Sequence, residues 1–239
     1  METIDWQERT KLLIKEKNDI LSQSNVLIVG LGGVGGMAAE MICRAGVGKL
    51  TIVDNDTIHP SNINRQILAF HSNVGQPKSQ IAANRLLDIN PKLNLKVFDK
   101  YVKDENIVEL LKFDSFDYVV DAIDTIAPKV YLLYNAHKLG LPIVSSMGAG
   151  GKTDATAIKI DDISKSYNCP LARLIRKRLH RLGVYNGIKV VFSDQKPNEE
   201  SLKFVNIENK KTTLGTISFM PNIFGVMIAS VVINDLINK

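Results

Sequence analysis

Cysteine is scarce in this sequence. Cys43 and Cys169 are the only two cysteines among 239 residues, and they lie far apart in the chain. Neither a framework of disulfides nor a zinc site built from paired CxxC motifs can form within one chain of this kind. Such low cysteine content is typical of a protein from a reducing compartment, so we expect the cytoplasm.

Long uninterrupted hydrophobic runs are absent as well. The most apolar stretch, residues 217–237, contains Pro221, Asn222, Asn234 and Asp235, whereas a helix that spans a membrane needs about 20 apolar residues. The first 20 residues carry acidic and basic side chains throughout and lack the apolar centre of a signal peptide. We expect residues 217–237 to form a buried helix, and we expect no membrane partner.

The overall composition is that of an ordinary folded protein. Hydrophobic residues make up 45% of the chain and charged residues 23%, which excludes a disordered or collagen-like protein. The formal net charge of +5 at pH 7 favours a polyanionic partner, although charge alone is weak evidence for nucleic acid. We predict a single domain with an N-terminal helix in residues 1–24, a core in 25–146 and a C-terminal extension in 147–239.

Strand-like and helix-like segments alternate through the core. The predicted strands cover residues 25–29, 50–53, 95–98, 118–121 and 142–146, and the predicted helices cover 34–45, 77–90, 104–111 and 128–139. This alternation predicts an α/β fold of the Rossmann type, with a mostly parallel sheet and helices on both faces. Ligands of such sheets bind beyond the carboxyl ends of the strands.

The C-terminal extension is less regular. After a glycine-rich segment, the predicted elements are a strand at 155–160, a basic helix at 170–182, a strand at 189–192 and a polar loop at 194–213. Nothing in this pattern requires a second hydrophobic core. We therefore expect the extension to pack on the same domain.

The first predicted strand runs into a glycine-rich turn. Gly30, Gly32, Gly33 and Gly35 permit a tight turn and open a helix whose free N–H groups can bind a phosphate. Asp54 follows the second strand, where an acidic residue can bind ribose hydroxyls. The glycines and this aspartate fit NAD, FAD or ATP.

Further polar residues distinguish among these ligands. They are Asp56, Asn62, Asn64, Arg65, Lys78 and Asp124. Hydride transfer needs few charges beside a pyrophosphate, whereas nucleotidyl transfer needs cations on the phosphates and a carboxylate that holds Mg²⁺. Because Arg65, Lys78 and Asp124 supply these groups, ATP and Mg²⁺ are the predicted cofactors.

These motifs together resemble the ThiF/HesA superfamily, the adenylating domain shared with ubiquitin-activating enzymes. The matching residues are GxGGxG from Gly30, DND at 54–56, NINRQ at 62–66, GQPK at 75–78 and AIDT at 122–125. The resemblance implies an enzyme in which a substrate carboxylate attacks the α-phosphate of ATP and releases pyrophosphate.

The same resemblance implies a role for each motif. Asp54 is implied to bind the ribose, Asn64 and Arg65 the phosphates, and Asp124 Mg²⁺. Lys78 is implied to stabilise the charge of the triphosphate. The other residues implied to contact the nucleotide are Gly30, Gly32, Gly33, Gly35, Asp56 and Asn62. Arg9 resembles an N-terminal arginine that reaches the partner subunit's ATP, which implies a homodimer; an ordinary surface arginine is the other interpretation. The predicted catalytic residues are Arg9, Arg65, Lys78 and Asp124.

One branch of the superfamily, the tRNA threonylcarbamoyladenosine dehydratases, is similar to nearly the whole chain. The C-terminal similarity lies at 145–154, 162–165, 169–179, 189–194 and 224–230. It implies a modified tRNA as substrate: ATP activates the threonyl carboxylate, a neighbouring carbamoyl atom closes a ring, and the net change is loss of water. Cys169 stands where aspartate is common and Ala155 where proline is common, and the first departure leaves the role of position 169 open.

The predicted helix at 170–182 offers a basic surface for the tRNA. Its candidate tRNA-binding residues are Arg173, Arg176, Lys177, His180 and Arg181. An apolar stripe is expected opposite them, formed by Leu171, Leu174, Ile175, Leu179 and Leu182. Such a face would contact phosphates and orient a folded RNA more than read its sequence. A solvated basic helix is the alternative, and Lys203, Lys210 and Lys211 are weaker candidates.

Three other functions remain open from the sequence. The first is an adenylyltransferase for a ubiquitin-like sulfur carrier, against which the missing zinc cysteines count. The second is an NAD-binding dehydrogenase or regulatory module, which would not need Arg65, Lys78 and Asp124. The third is an inactive scaffold that recruits a sulfur-transfer or cysteine-desulfurase system. A monovalent cation near residues 145–151 is a further possible ligand.

Overall fold

A seven-stranded sheet forms the centre of the molecule, and the computed structural model describes residues 5–103, 105–207 and 210–238. The strands lie in the order β3-β2-β1-β4-β5-β7-β6. Their bounds are β1 Asn25–Val29, β2 Lys49–Val53, β3 Asn94–Phe98, β4 Tyr118–Asp121, β5 Ile143–Ser146, β6 Ile158–Asp162 and β7 Lys189–Ser193. All neighbouring pairs are parallel except β6 with β7. The predicted α/β fold is therefore confirmed.

Helices cover both faces of this sheet. Their bounds are α1 Glu8–Ile14, α2 Lys17–Gln23, α3 Gly35–Arg44, α4 Lys78–Ile89, α5 Glu105–Lys112, α6 Ile126–Lys138, α7 Pro170–Arg181 and α8 Phe219–Ile237. One hydrophobic cluster joins the sheet to α3, α4 and α8, and a second joins it to α5, α6 and α7. Because both faces are covered, every residue of β1 and β4 is buried.

The apolar C-terminal segment is a core helix, as predicted. By length and composition α8 is long and apolar enough to cross a membrane, but it packs against α3, α2 and three strands of the sheet. Its charged residue has partners there, because Asp235 accepts hydrogen bonds from Tyr118 Oη and Lys189 Nζ, both at 2.6 Å. These contacts explain why an otherwise apolar helix carries a carboxylate.

Three predictions about local structure were wrong. The N-terminal helix is two helices, since the chain reverses at Lys15, whose φ is 52°. Residues 155–157 form a 3₁₀ turn, and strand β6 begins only at Ile158. The predicted loop at 194–213 contains a two-stranded antiparallel sheet of β8 Leu202–Ile207 and β9 Lys210–Leu214. Both strands lie outside the main sheet. Their polar sequence therefore lacks the apolar pattern of a buried strand, from which they could have been predicted.

The contact between α3 and α8 requires a glycine. A Cβ atom added at Gly225 would lie 2.5 Å from the main-chain oxygen of Val34 and 2.7 Å from Met37 Cβ. We expect Gly225→Ala to lower the free energy of unfolding by about 1–3 kcal/mol, because the two helices must move apart. Urea denaturation measures this change. Ser230→Ala on the same helix is the control, and equal effects of the two substitutions would contradict the packing argument.

Candidate active site

A pocket of about 480 Å³ opens at the carboxyl ends of the parallel strands. Loops that follow five neighbouring strands line it, in the order β3, β2, β1, β4 and β5. They contribute Lys100–Val102, Asp54–Asp56, Gly30 with Gly32–Val34, Ala122–Thr125 and Met147–Gly150, and further lining residues include Arg65, Gln66, Lys78, Lys152, Cys169, Pro170, Leu171, Pro197, Leu214, Thr216 and Pro221. The volume falls in the usual range for small-molecule sites.

The glycine turn after β1 is packed too tightly for side chains. A Cβ atom at Gly35 would lie 1.8 Å from the main-chain oxygen of Gly30, and one at Gly30 would lie 2.7 Å from that of Ala122. At Gly33 the added atom would meet Pro221 at 2.9 Å. Gly32 differs, since its nearest neighbour would be Gln66 Nε2 at 3.8 Å. Packing within the protein therefore accounts for three of the glycines, whereas Gly32 leaves its backbone open to a ligand in the pocket.

Asp54 ties the end of β2 to the glycine turn. Its Oδ2 accepts a hydrogen bond from the N–H of Leu31 at 2.6 Å, and its Oδ1 accepts one from the N–H of Asp56 at 2.7 Å. Burial raises the pKa of Asp54, and the positive charge of Lys78 opposes this increase. The carboxylate is thus held in one position on the pocket wall, where an acidic residue can accept hydrogen bonds from ribose.

Lys78 opens helix α4 and brings a buried ammonium group to the pocket. Its side chain is 6% exposed, and its Nζ lies 2.9 Å from Oδ2 of Asp56, whose side chain is 64% exposed. The main-chain N–H of Lys78 also donates to the main-chain oxygen of Asp56 at 2.9 Å. This geometry makes Asp56 the residue that positions Lys78.

Arg65 and Asp124 face the pocket from different loops. Burial lowers the pKa of Arg65, and the negative charge of Asp124 opposes this decrease. Arg65 Nη1 donates to the main-chain oxygen of Ser61 and to Oδ1 of Asn64, both at 2.8 Å. The guanidinium group is therefore oriented by its own loop and lies within electrostatic range of a carboxylate.

Two predicted nucleotide contacts, Asn62 and Asn64, form hydrogen bonds within the protein. Asn64 binds Arg65 through its oxygen and donates from Nδ2 to the main-chain oxygen of Thr216 at 2.9 Å. Asn62 accepts a hydrogen bond from the N–H of His59 at 3.0 Å and caps a 3₁₀ turn. Neither residue lines the pocket. They shape the loop that presents Arg65.

A fully buried ion pair supports the loop that carries Asp124. Lys129 Nζ on α6 lies 2.7 Å from Oδ2 of Asp121 at the end of β4, and both side chains are 0% exposed. Ser145 Oγ donates to the same carboxylate oxygen at 2.5 Å. Both main-chain groups of Ile123 are also bound, its N–H by Asp121 at 3.1 Å and its oxygen by Lys129 at 2.8 Å. Both peptide groups of Ile123, the residue directly before Asp124, are therefore held in place.

The pocket continues beyond the predicted ATP residues towards β5 and α7. Its lining there includes Lys152, which is buried, and Cys169. Cys169 is buried, since it is 6% exposed and belongs to the second hydrophobic cluster. Its sulfur accepts a hydrogen bond from the N–H of Ala172 at 3.5 Å and caps α7. The pocket lining therefore extends to the start of α7.

Helix α7 carries a basic surface that starts at the pocket. Arg173, Lys177, Arg178, His180 and Arg181 are exposed. Arg176 does not belong to this surface, because its Nη1 donates to the main-chain oxygens of Ile163 and Ser166 at 3.3 and 2.6 Å. The apolar side is also narrower than predicted: Ala172, Ile175 and Leu179 are buried, whereas Leu174 and Leu182 are exposed.

Arg9 lies on α1, away from the pocket of its own chain. The residue is exposed, and α1 buries none of its side chains. Leu12 and Leu13 on the same helix are 74% and 83% exposed, which leaves an apolar surface beside Arg9.

The relationship to known proteins agrees with this geometry. The sequence model described as the ThiF family matches residues 6–239. The chain belongs to the ThiF family. In this ThiF-family chain, the matched region includes the glycine turn, the charged residues around it and the basic helix.

Relatives of this ThiF-family chain include tRNA-modifying enzymes. The tRNA threonylcarbamoyladenosine dehydratase of Bacillus subtilis is 37% identical, with coverage of 96% of this chain and 93% of the relative. A crystal structure of the E. coli enzyme, TcdA, in complex with ATP superposes with a TM-score of 0.89 at 31% identity, covering 98% of this chain and 96% of that one. The adenylyltransferase and sulfurtransferase UBA4 of Vanderwaltozyma polyspora is 31% identical, but it matches only 66% of this chain and 37% of its own length.

The residues of the ThiF-family site fit a nucleotide with one magnesium ion. Among the residues that the structure describes, no group of three or more His, Cys, Asp and Glu side chains could hold a metal. Magnesium at nucleotide sites commonly takes one or two carboxylates and completes its coordination with phosphates and water. Asp124, at the pocket wall and close enough for its charge to act on Arg65, has the chemistry for such a role.

Proposed function

We propose that this ThiF-family chain is an ATP-dependent tRNA threonylcarbamoyladenosine dehydratase. The proposal rests on one pocket that is lined by Gly32, Arg65, Lys78 and Asp124 and also by Cys169, Pro170 and Leu171 at the start of α7. The first group has the chemistry to bind a triphosphate, and the second lies where the acid that attacks it would enter. The relatives named above that match most of the chain support this substrate.

The first chemical step is adenylation of the threonyl carboxylate. A carboxylate oxygen attacks the α-phosphorus of ATP, the bond from that phosphorus to the bridging oxygen breaks, and pyrophosphate leaves with the bonding electron pair. Attack by an anion on a polyanion requires cations fixed at the point where charge accumulates. Arg65 and Lys78 are fixed in this way by Asn64 and Asp56. A magnesium ion bound by Asp124 would neutralise further phosphate charge.

Ring closure is the second step. An atom of the carbamoyl group attacks the activated carbonyl carbon, a carbamoyl N–H loses its proton, and AMP leaves with the electron pair of the bond to that carbon. The carboxylate oxygen that bridged to phosphorus departs with AMP. The modified nucleoside therefore loses the elements of one water molecule.

The basic surface of α7 suits the phosphate backbone of the tRNA. Cys169, Pro170 and Leu171 line the pocket at the start of this helix, and the exposed side chains of Arg173, Lys177 and Arg181 continue along it. A helix of twelve residues is about 18 Å long, enough to follow several phosphates. A nucleoside in the pocket would thus be continuous with a backbone held by α7.

The test of this function is pyrophosphate release that depends on the modification. Wild-type protein with ATP and magnesium should release pyrophosphate with tRNA that carries threonylcarbamoyladenosine and not with the same tRNA that carries unmodified adenosine. Release that depends instead on a ubiquitin-like sulfur carrier would support the alternative adenylyltransferase. Binding of NAD without any ATP-dependent reaction would support the dehydrogenase alternative. A monovalent cation and a sulfur-transfer partner stay predictions.

The proposal includes a homodimer in which Arg9 reaches the ATP of the other subunit. The exposed apolar side chains of Leu12 and Leu13 beside Arg9 support burial of α1 against a second copy. We expect Arg9→Ala and Asp124→Asn to be inactive alone. Co-expressed in equal amounts, they should recover about a quarter of the sites, because half the dimers are mixed and one of their two sites is complete. The rate of pyrophosphate release measures the recovery.

Lys11→Ala, on the same exposed helix, is the control for this experiment and should keep full activity. No recovery in the mixed dimer would exclude a contribution of Arg9 across the interface. Full activity of Arg9→Ala alone would exclude any catalytic role.

A further inference from the structure

Lys152 is a buried lysine that forms no ion pair with a carboxylate in the part of the chain that the structure describes. As whole residues, Lys78, Lys129 and Lys152 are 5%, 0% and 3% exposed. Lys78 pairs with Asp56 and Lys129 with Asp121, whereas Lys152 forms no ion pair with any carboxylate of residues 5–103, 105–207 and 210–238. Its Nζ donates one hydrogen bond, to the main-chain oxygen of Ser193 at 3.0 Å. An ammonium group has three donors, so this bond leaves two for a ligand.

The neighbourhood of Lys152 does not neutralise it. Burial lowers the pKa of Lys152, and the charges of Cys169 and Asp194 oppose this decrease without cancelling it. The carboxylate of Asp194 is bound to Lys159, with Oδ2 and Nζ 2.6 Å apart. A buried ammonium without a counter-ion is costly in free energy. An anion that entered the pocket beside Lys152 would remove that cost.

The position of Lys152 in the sheet indicates which anion this is. The loops that line the pocket follow the strand order, with Asp54 after β2, the glycine turn after β1, Asp124 after β4 and Lys152 after β5. Neighbouring strands are about 4.8 Å apart, so the β5 loop is separated from the ribose end of the site by three strand spacings, or about 14 Å. Ser193, which binds Lys152, ends the next strand, β7.

Arg65 and Lys78, the basic residues proposed to bind the phosphates, both follow β2 in the chain. They line the pocket together with Gly32, whose backbone is open to a ligand. Lys152 belongs instead to the loop after β5, which meets the start of α7, since a Cβ atom added at Gly148 of that loop would lie 3.7 Å from Cys169 Sγ and 3.8 Å from Leu171 Cβ. An anionic group brought in along α7 would therefore enter the pocket beside Lys152.

We propose that Lys152 binds the carboxylate of the acyl acceptor and guides it to the α-phosphate. The proposal rests on the proposed function, in which that acid is the threonyl carboxylate of the modified adenosine. Two ammonium donors and the positive charge of Lys152 would hold the carboxylate and offset its repulsion by ATP. Lys152 is then a substrate-binding catalytic residue that selects an acid over a neutral group.

Binding of two short RNAs tests this role without any reaction. Both are anticodon stem-loops; one carries threonylcarbamoyladenosine, and the other carries the same group with its carboxylate converted to a carboxamide. Without ATP, wild-type protein should bind the acid about tenfold more tightly than the amide, the usual effect of one charge-assisted hydrogen-bonded contact. Lys152→Met should reduce this preference to about twofold or less. Lys165→Met, at an exposed lysine of the same extension, should keep the tenfold preference.

Three other results of the binding experiment would overturn the role of Lys152, and a separate result would refute the proposed function. An absent preference in wild-type protein overturns the proposal whether or not the variant folds. A tenfold preference that persists in Lys152→Met overturns it too, as does a tenfold loss of ATP affinity in that variant with its acid preference retained, which would assign Lys152 to the triphosphate. Wild-type protein that fails to convert modified tRNA with ATP would instead refute the proposed function.

Discussion

Replacing Lys78 with alanine is expected to slow ATP-dependent pyrophosphate release about a hundredfold or more. The ammonium group is buried at the pocket wall and held by Asp56 at 2.9 Å. Its removal takes away a fixed positive charge where negative charge accumulates during attack on the α-phosphate. A single-turnover assay with saturating ATP and modified tRNA measures the chemical step directly.

Asp56→Asn is the informative comparison for that substitution. It removes the charge that positions Lys78 but keeps the ammonium group, so the rate should fall by less than in Lys78→Ala. A wild-type rate in Lys78→Ala, with ATP and tRNA saturating, would contradict the role of this lysine. An equal loss in both variants would show that positioning accounts for the whole effect of Lys78.

Lys129→Met should lower the free energy of unfolding by about 3–5 kcal/mol, because it leaves the carboxylate of Asp121 buried without its ion-pair partner. Both side chains are 0% exposed and their charged atoms are 2.7 Å apart, so water cannot replace the lost partner without a rearrangement. Urea denaturation followed by circular dichroism measures the change.

The double variant Asp121→Asn with Lys129→Met is the control for buried charge. It removes both charges, so it should be less destabilised than the sum of the two single substitutions. A loss below about 1 kcal/mol in Lys129→Met, the range of exposed ion pairs, would contradict the structural role of the pair.

The sequence was most informative where local motifs and chain geometry determine the structure. Strand, glycine turn and helix follow one another without a gap, so the positions of Gly30 and Gly35 could be predicted before any tertiary contact was known. Asp54 follows directly from the end of β2. Lys78 was predicted as a charge at the nucleotide, but its partner Asp56 was interpreted as a nucleotide contact, since sequence spacing does not reveal an ion pair.

Contacts between distant segments could not be predicted. Lys129 and Asp121 meet because α6 packs on the end of β4, and no periodicity in either segment signals a buried pair. Arg176 was wrongly placed on the basic surface, since a helical projection does not show the turn at 163–166 that binds its guanidinium group. Lys152 is part of a recognised motif, but its lack of a carboxylate partner is visible only in three dimensions.

The mass of the product nucleoside shows whether the pocket brings a carboxylate of modified tRNA to the α-phosphate of ATP. Purified protein is incubated with ATP, magnesium and tRNA that carries threonylcarbamoyladenosine, and the tRNA is then digested and its nucleosides weighed. We expect a modified adenosine that is lighter by one water molecule, with one AMP formed for each nucleoside converted. An unchanged nucleoside mass at saturating ATP, from folded protein that binds both substrates, would contradict it.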